Sequence, residues 1–128
     1  MTPFILSGDH ATPLRAGLTA DAASRSAGHL RALLGSAAVA MTDTTSLLAW
    51  DGTGAEHARG ALVLAAGALE RGRTTVQRVA CADPDCPVRS AVVCPLVQGD
   101  VVVGTLTAYD AEAGPGLVRA AGEVARWV

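Results

Sequence analysis

The amino-acid sequence predicts an α+β fold, in which helices pack against a mostly antiparallel β-sheet. Three segments carry apolar residues at helical spacing, and short runs rich in Val, Thr and Ala, which are typical of strands, lie between them. Most neighbouring strands are connected too tightly for parallel crossovers, which need roughly a dozen residues. We therefore expect about five or six strands, mostly antiparallel, with helices on the sheet.

The first helix is predicted to begin after Thr19. Residues 1–13 precede it with two prolines and little periodicity, and they predict a loose leader. The Thr19 side chain can cap the helix, Asp21 suits its first turn, and Gly35 ends it. Four apolar residues are predicted to share the inward face: Ala23, Ala27, Leu30 and Leu34.

A hairpin and a second helix are predicted next. The runs Ala37–Thr42 and Ser46–Trp50 are separated by three residues, which suits a tight turn between two strands. After the loop Asp51–Gly54, the pattern of Glu56–Arg71 predicts a helix that Gly72 stops. Its predicted inward residues are Ala58, Leu62, Ala65 and Leu69.

The C-terminal half begins with a third predicted strand, Thr74–Ala80. In the next segment, Cys81–Pro87, two prolines and two aspartates exclude a helix or a central strand and predict a rigid loop. Ser90–Val97 and Val101–Tyr109 then form the clearest predicted hairpin. In its second arm, one face is predicted to carry Val101, Val103, Thr105, Thr107 and Tyr109.

A closing helix is predicted from Gly114-Pro115 to the end of the sequence. Its apolar stripe consists of Leu117, Ala121, Val124 and Val128. Because the helical pattern is still running at Val128, we expect the chain to continue in a longer protein.

Composition and charge exclude several function classes. The net charge is −2 and the ten basic residues, all arginines, are scattered, so the positive field that nucleic-acid binding requires is missing. The sequence has no apolar run of about 20 residues and no signal peptide at its start. Three cysteines, an odd number, argue against a secreted disulfide framework. We therefore expect a cytoplasmic segment without direct membrane contact, whose parent protein can carry an anchor elsewhere.

The residues Cys81–Leu96 form a distinctive motif. Their sequence is CADPDCPVRSAVVCPL, and the segment VVVGTLTAYD follows at residues 101–110. This stretch closely resembles the GAF domain of LytS-type sensor histidine kinases, in which a C…PDCP loop precedes a strand ending in Pro-Leu and a hairpin with a V-G-T-L core. The segment LLAWDG at Leu47–Gly52 and the closing helix with Trp127 resemble actinobacterial members. The likeness covers residues 14–128.

The resemblance implies a GAF domain over residues 14–128, cut before a kinase module in the same chain. Its terminal helices would pack on one sheet face, with the middle helix and loops over the other. It implies a non-catalytic domain that senses a small molecule or redox state in a two-component phosphorelay and signals through its last helix. The terminal helices would pair in a homodimer, and ATP-dependent kinase activity would belong to the parent.

A GAF domain usually holds its ligand between the sheet and the loops that cover it. The covering segments here would be Asp51–His57 and Cys81–Arg89. The candidate ligand or redox residues of these segments are Asp51, His57, Cys81, Asp83, Asp85, Cys86 and Arg89. Arg89 is the best candidate to meet an anion, although a plain surface arginine fits equally, and aspartates in such loops most often cap turns.

Cys81 and Cys86 permit three interpretations. They can be structural thiols that stiffen the loop, or a pair whose oxidation to a disulfide locks it. They can also bind a metal or an iron–sulfur centre together with His57 or an aspartate, although the C-x4-C spacing is wider than the usual structural-zinc pair. No cofactor is required by the sequence. Cys94 alternates with core residues and is predicted to be one of them.

Two other functions stay open at this point. Free methionine-(R)-sulfoxide reductases are GAF-fold enzymes that work through cysteines, but their wider sequence pattern is missing here. A dimerisation module without any ligand is the second alternative. No Ser-His-Asp set, phosphate loop or pair of catalytic carboxylates is visible.

Overall fold

The computed structural model describes residues 18–128, so the predicted leader 1–13 and the predicted domain start at residue 14 lie outside the described residues. The elements are, in chain order, α1 (Ala20–Leu34), β1 (Ala38–Thr42), β2 (Leu47–Gly52), a 3-10 helix (Ala55–Gly60), α2 (Ala61–Arg71), β3 (Thr75–Arg78), β4 (Ser90–Gln98), β5 (Val101–Asp110) and α3 (Pro115–Trp127).

Within residues 18–128 the strands form one five-stranded sheet in the order β2-β1-β5-β4-β3. Every neighbouring pair is antiparallel. The β4–β5 hairpin is the longest pairing and runs from Ser90 opposite Asp110 to Gln98 opposite Val101. The predicted α+β class and antiparallel sheet are confirmed.

The two faces of the sheet are covered by different helices. We call the side under α1 and α3 the terminal-helix face, and its core includes Val39, Met41 and Leu106. We call the side under α2 the middle-helix face, and its core includes Val93 and Tyr109. The helices pack close to the sheet because most of their buried residues are alanines: Ala22, Ala23, Ala27, Ala61, Ala65, Ala68, Ala121 and Ala125.

The ends of α1 follow from its sequence. The Thr19 hydroxyl accepts a hydrogen bond of 3.1 Å from the Ala22 amide, and Gly35 ends the helix with a positive φ of 64°. No helix among residues 18–128 has both the length and the apolar character needed to cross a bilayer.

The predicted middle helix is wrong in its first turns. Residues 55–60 form a 3-10 helix, and the α-helix starts only at Ala61. Because a 3-10 helix has about three residues per turn, a count at α-helical spacing from Ala58 points to the wrong side. The fully buried residues of α2 are Ala61, Ala65 and Ala68, so the prediction of Ala65 is confirmed, and the predicted Leu69 packs half-buried against the same core.

Two strand boundaries also differ from the prediction. β3 covers only Thr75–Arg78, four residues, whereas the β-branched pattern predicted a longer strand. β2 continues to Gly52, because Ala38 of β1 stays paired with it.

Candidate functional site

The loop of residues 79–89 joins β3 to β4 and lies over the middle-helix face. Its two ends are tied together, since the Val79 amide donates to the Arg89 carbonyl at 2.9 Å. The Arg89 amide in turn donates to the Asp110 carbonyl at 3.1 Å, beyond the end of the hairpin. The base of the loop is therefore fixed to the sheet.

Asp83 organises the interior of this loop. Its carboxylate accepts from the Asp85 amide at 2.9 Å, and its carbonyl accepts from the Cys86 amide at 3.2 Å. The Arg89 guanidinium also donates to the Asp83 carbonyl. Asp83 and Arg89 thus shape the turn that presents Cys86, as expected of an aspartate in such a loop.

A glycine turn brings the 3-10 helix against the same loop. Gly54 has a φ of 70°, and its carbonyl accepts a hydrogen bond of 2.9 Å from the His57 amide. A Cβ at this position would lie 2.7 Å from Cγ2 of Val88. The close approach requires glycine and places the His57 ring over Cys86.

Four side chains converge at this contact, and we call them the thiol–imidazole cluster: Glu56, His57, Cys81 and Cys86. Their potential ligand atoms all lie within 4.8 Å of one another, and His57 Nε2 is 3.5 Å from Cys86 Sγ. Cys86 is buried, His57 and Cys81 are half-buried, and Glu56 is exposed. Both cysteines are free thiols in the structure.

The surroundings of Cys86 act on its thiol in opposite directions. The backbone amide of Val88 donates to the sulfur and lowers the pKa, while burial and the adjacent Cys81 thiol raise it. The exposed carboxylate of Glu56 raises it further, and the pKa of Cys86 ends above its ordinary value. Cys86 is therefore a protonated thiol at neutral pH, and it releases its proton when a metal cation binds the sulfur or when a stronger base accepts the proton.

The candidate residues outside this cluster have other places. Asp51 forms an ion pair of 2.5 Å with Arg31 of α1, on the terminal-helix face, so grouping it with the covering loops was wrong. The reason is strand alternation, because Trp50 points to the middle-helix face and its neighbour must point away. Asp85 is exposed, and Cys94 is buried in the core of the terminal-helix face.

Sequence reasoning missed a second group on the middle-helix face. Nε1 of Trp50, Oγ1 of Thr107 and the hydroxyl of Tyr109 are buried and have no hydrogen-bond partner among the described residues; we call them the polar trio. The rings of Trp50 and Tyr109 pack with centroids 4.8 Å apart. The sequence did contain a signal for this group, since Thr107 and Tyr109 are predicted to lie on the same face of the last strand.

An open cleft of about 360 Å³ lies beside the cluster. It is lined by Glu56, His57, Gly60, Leu64, Arg78, Val79 and Ala80. Leu64 and Val79 also pack against the core of the middle-helix face, which contains Tyr109. The cleft therefore connects the cluster with solvent. A separate cleft of about 250 Å³ lies near Leu18, Gln98 and Val128, away from the cluster.

Among known proteins, the chain is similar in sequence to part of a sensor protein. The chain is 32% identical over 103 residues to the sensor protein LytS of Enterococcus faecalis, a match that covers 74% of this chain and 18% of that protein. The chain therefore spans less than a fifth of the length of the curated relative. No family model matches the chain.

Solved structures share the fold at low identity. A GAF domain from an Acinetobacter phosphoenolpyruvate-protein phosphotransferase superposes with a TM-score of 0.61 at 8% identity, covering 91% of this chain and 84% of that one. A free methionine-R-sulfoxide reductase from Neisseria meningitidis, solved with its substrate, gives a TM-score of 0.60 at 20% identity and covers 84% and 74%. At these identities the likeness establishes the GAF fold alone.

Proposed function

We propose that this chain, a GAF domain of the LytS sensor histidine kinase family, is the non-catalytic sensory domain of a two-component kinase. The observation that carries the proposal is the 32% identity with a sensor protein over 103 residues, together with the GAF fold. Since the match covers 18% of that relative, phosphoryl transfer belongs to other parts of the parent protein. The proposal includes a cytoplasmic location, where reduced thiols such as Cys81 and Cys86 persist.

The polar trio supports sensing of a small molecule. A buried donor or acceptor without a partner costs about 1–3 kcal/mol, so three on one face favour a ligand that supplies the missing hydrogen bonds. The indole of Trp50 only donates, whereas the hydroxyls of Thr107 and Tyr109 donate or accept. A small molecule with at least one oxygen acceptor matches this set.

The thiol–imidazole cluster supports a redox response as well. Cys81 and Cys86 would each lose a proton and an electron to a peroxide or a disulfide, which is reduced, and a sulfur–sulfur bond would form. A disulfide that closes so short a loop would raise the free energy of unfolding by roughly 2 kcal/mol on the chain-entropy model. Because the loop is tied to β4 and β5, a change in its shape would reach the sheet.

Transmission would use the terminal helices, which lie on the far face of the same sheet. Leu33 of α1 is 64% exposed and Trp127 of α3 is 82% exposed. Large apolar side chains left in water on these two helices support a homodimer through them. Ligand or redox chemistry at the loop would bias two arrangements of the paired helices, and α3 would pass the change to the kinase.

Autophosphorylation of the full-length kinase that contains this chain tests the proposal. We expect Cys81→Ser and Cys86→Ser to change the response of the rate to oxidant, and Cys94→Ala, on the opposite face, to leave it unchanged. If both loop variants respond like the wild type, the loop is not the switch. If the full-length protein transfers no phosphate from ATP, the sensor-kinase assignment fails.

A free methionine-(R)-sulfoxide reductase is the second candidate, favoured by the fold of the Neisseria meningitidis enzyme and by the three cysteines. Against it, Cys94 is buried on the other face, which leaves only Cys81 and Cys86 for catalysis. A thioredoxin-coupled NADPH assay with free methionine sulfoxide decides between the two, because NADPH consumption that requires Cys86 would favour the enzyme.

A further inference from the structure

We infer that the thiol–imidazole cluster is a binding site for one Zn²⁺ ion, with Cys81, Cys86 and His57 as the inner ligands and Glu56 as an exposed fourth ligand. This inference concerns the chain alone and holds whether or not the parent is a kinase. It depends on the chemistry of the four side chains, on the distances between them and on the way the fold holds them.

The ligand set selects the metal. Two sulfurs, an imidazole nitrogen and a carboxylate oxygen are the donors that Zn²⁺ uses in tetrahedral protein sites. Mg²⁺ and Ca²⁺ prefer oxygen ligands and are disfavoured by the two thiols. Glu56 completes the set of four, and it enters the cluster only because residues 55–60 turn as a 3-10 helix.

The distances fit a tetrahedron with little movement. Zinc–sulfur and zinc–nitrogen bonds of about 2.3 and 2.1 Å at a tetrahedral angle place the two ligand atoms about 3.6 Å apart. His57 Nε2 and Cys86 Sγ are already 3.5 Å apart. The remaining ligand atoms lie within 4.8 Å of one another, so they need to move by only about 1 Å to reach the spacing of a tetrahedral site.

The fold holds two of the three inner ligands, Cys86 and His57, in advance. Cys86 lies in the turn organised by Asp83, and His57 is held by the Gly54 turn against Val88. The Val88 amide donates to the Cys86 sulfur, an arrangement that stabilises a metal-bound thiolate. Such partners fix the ligand orientation before the ion arrives, which favours binding over a chance contact of four side chains.

The four ligand residues differ in their exposure to solvent, and this difference indicates which of them holds the ion and which is displaced. Cys86 is 7% exposed, whereas Glu56 is exposed and also lines the cleft of about 360 Å³. The buried thiolate therefore anchors the ion. Glu56 is the ligand that water or a small anion entering the cleft displaces, because it is the most exposed of the four.

The test is titration of the reduced, metal-free 128-residue chain with Zn²⁺ in competition with a chromophoric chelator, repeated with Co²⁺. We expect one Zn²⁺ per chain. We also expect the Co²⁺ form to show the intense visible bands of a tetrahedral site and a thiolate-to-cobalt charge-transfer band. His57→Asn and Cys86→Ser should weaken binding by roughly 100-fold, and Glu56→Gln by roughly 10-fold.

Matched controls come from the same chain. His29→Asn on α1, Glu70→Gln on α2 and Cys94→Ala in the terminal-helix core remove the same ligand types elsewhere, and each should bind Zn²⁺ like the wild type. His57 is half-buried, so its variant should keep the wild-type circular dichroism spectrum. The inference is overturned if the wild type does not compete with the chelator, if the cobalt spectrum lacks the thiolate band, or if His57→Asn binds normally.

Discussion

At the scale of single residues, the buried hydroxyl of Tyr109 contrasts with those of Thr42 and Thr105. The two threonines hydrogen-bond to each other at 2.7 Å, whereas Tyr109 has no partner among the described residues. A hydrogen-bonded buried hydroxyl stabilises the fold by about 1 kcal/mol, while an unsatisfied one carries its desolvation cost. The unpaired hydroxyl of Tyr109 thus lies where the proposed ligand would bind.

We expect Tyr109→Phe to raise the free energy of unfolding by about 1 kcal/mol, since it removes an unpaired hydroxyl and keeps the ring against Trp50. The matched control is Thr105→Val, which breaks the pair with Thr42 and should lower stability by a similar amount. Urea denaturation of both variants measures the difference. A clear loss of stability in Tyr109→Phe would mean that the hydroxyl is satisfied after all.

The same residue predicts a pH dependence. Burial raises the pKa of Tyr109 above its ordinary value of about 10. The folded state therefore favours the neutral phenol: this contribution is complete below pH about 10 and is lost as pH rises further, because the unfolded chain ionises first. Tyr109 is the only tyrosine, so phenolate absorbance follows it directly. In Tyr109→Phe the alkaline loss of stability should shrink, and an unshifted phenolate titration in the wild type would contradict the prediction.

At the scale of elements, the 3-10 helix and the loop of residues 79–89 are positioned by each other. Gly54 lets the 3-10 helix start against Val88, and the loop is tied at its base by Val79 and Arg89. His57 comes from the first element and Cys86 from the second. Any change that separates these elements should therefore affect the cluster before it affects the sheet.

We expect Gly54→Ala to lower the free energy of unfolding by about 2 kcal/mol, because a side chain is strained at this positive φ and its Cβ would meet Val88. It should also weaken Zn²⁺ binding by moving His57 away from Cys86. Gly60→Ala is the control: its φ is −92° and no atom lies within 4 Å of the added Cβ. Thermal unfolding and zinc titration measure both effects, and equal behaviour of the two variants would contradict the prediction.

At the scale of the whole molecule, the sheet separates two different surfaces. The cluster, the cleft and the polar trio belong to the middle-helix face, while α1 and α3 cover the other face and expose Leu33 and Trp127. The central strands β1 and β5 contribute to both cores. The shared strands connect the two faces physically, as the proposed signalling role requires.

If the terminal helices form a dimer, Trp127→Glu should shift the chain toward monomer without lowering the stability of the monomer, because Trp127 is 82% exposed. Val63→Glu on α2 is the matched control, since Val63 is 78% exposed but lies on the other side of the sheet. Analytical ultracentrifugation at several concentrations measures the association. Dissociation by Val63→Glu alone would place the interface on α2 instead.

Local patterns were sufficient for most of the fold. Alternation and a short turn defined the β4–β5 hairpin, Thr19 and Gly35 marked α1, and the prolines around Cys86 excluded regular structure there. These signals depend on neighbours within a few residues, so the chain carries them in its linear order. They were sufficient for the antiparallel sheet and for the segment that contains two of the four cluster residues.

The sequence by itself determined the class of fold, its element order and the LytS resemblance, because these follow from periodicity, turn residues and a contiguous motif. Only the tertiary structure decided that Asp51 pairs with Arg31 on the terminal-helix face and that Glu56 and His57 meet Cys81 and Cys86. It also decided that the hydroxyl of Tyr109 has no partner within residues 18–128. Each of these depends on which side of a strand or turn a residue faces, and on what distant segment lies opposite it. A 3-10 turn changes the side that its residues face, and long-range packing determines which distant segment lies opposite them. Patterns of neighbouring residues therefore do not predict these contacts.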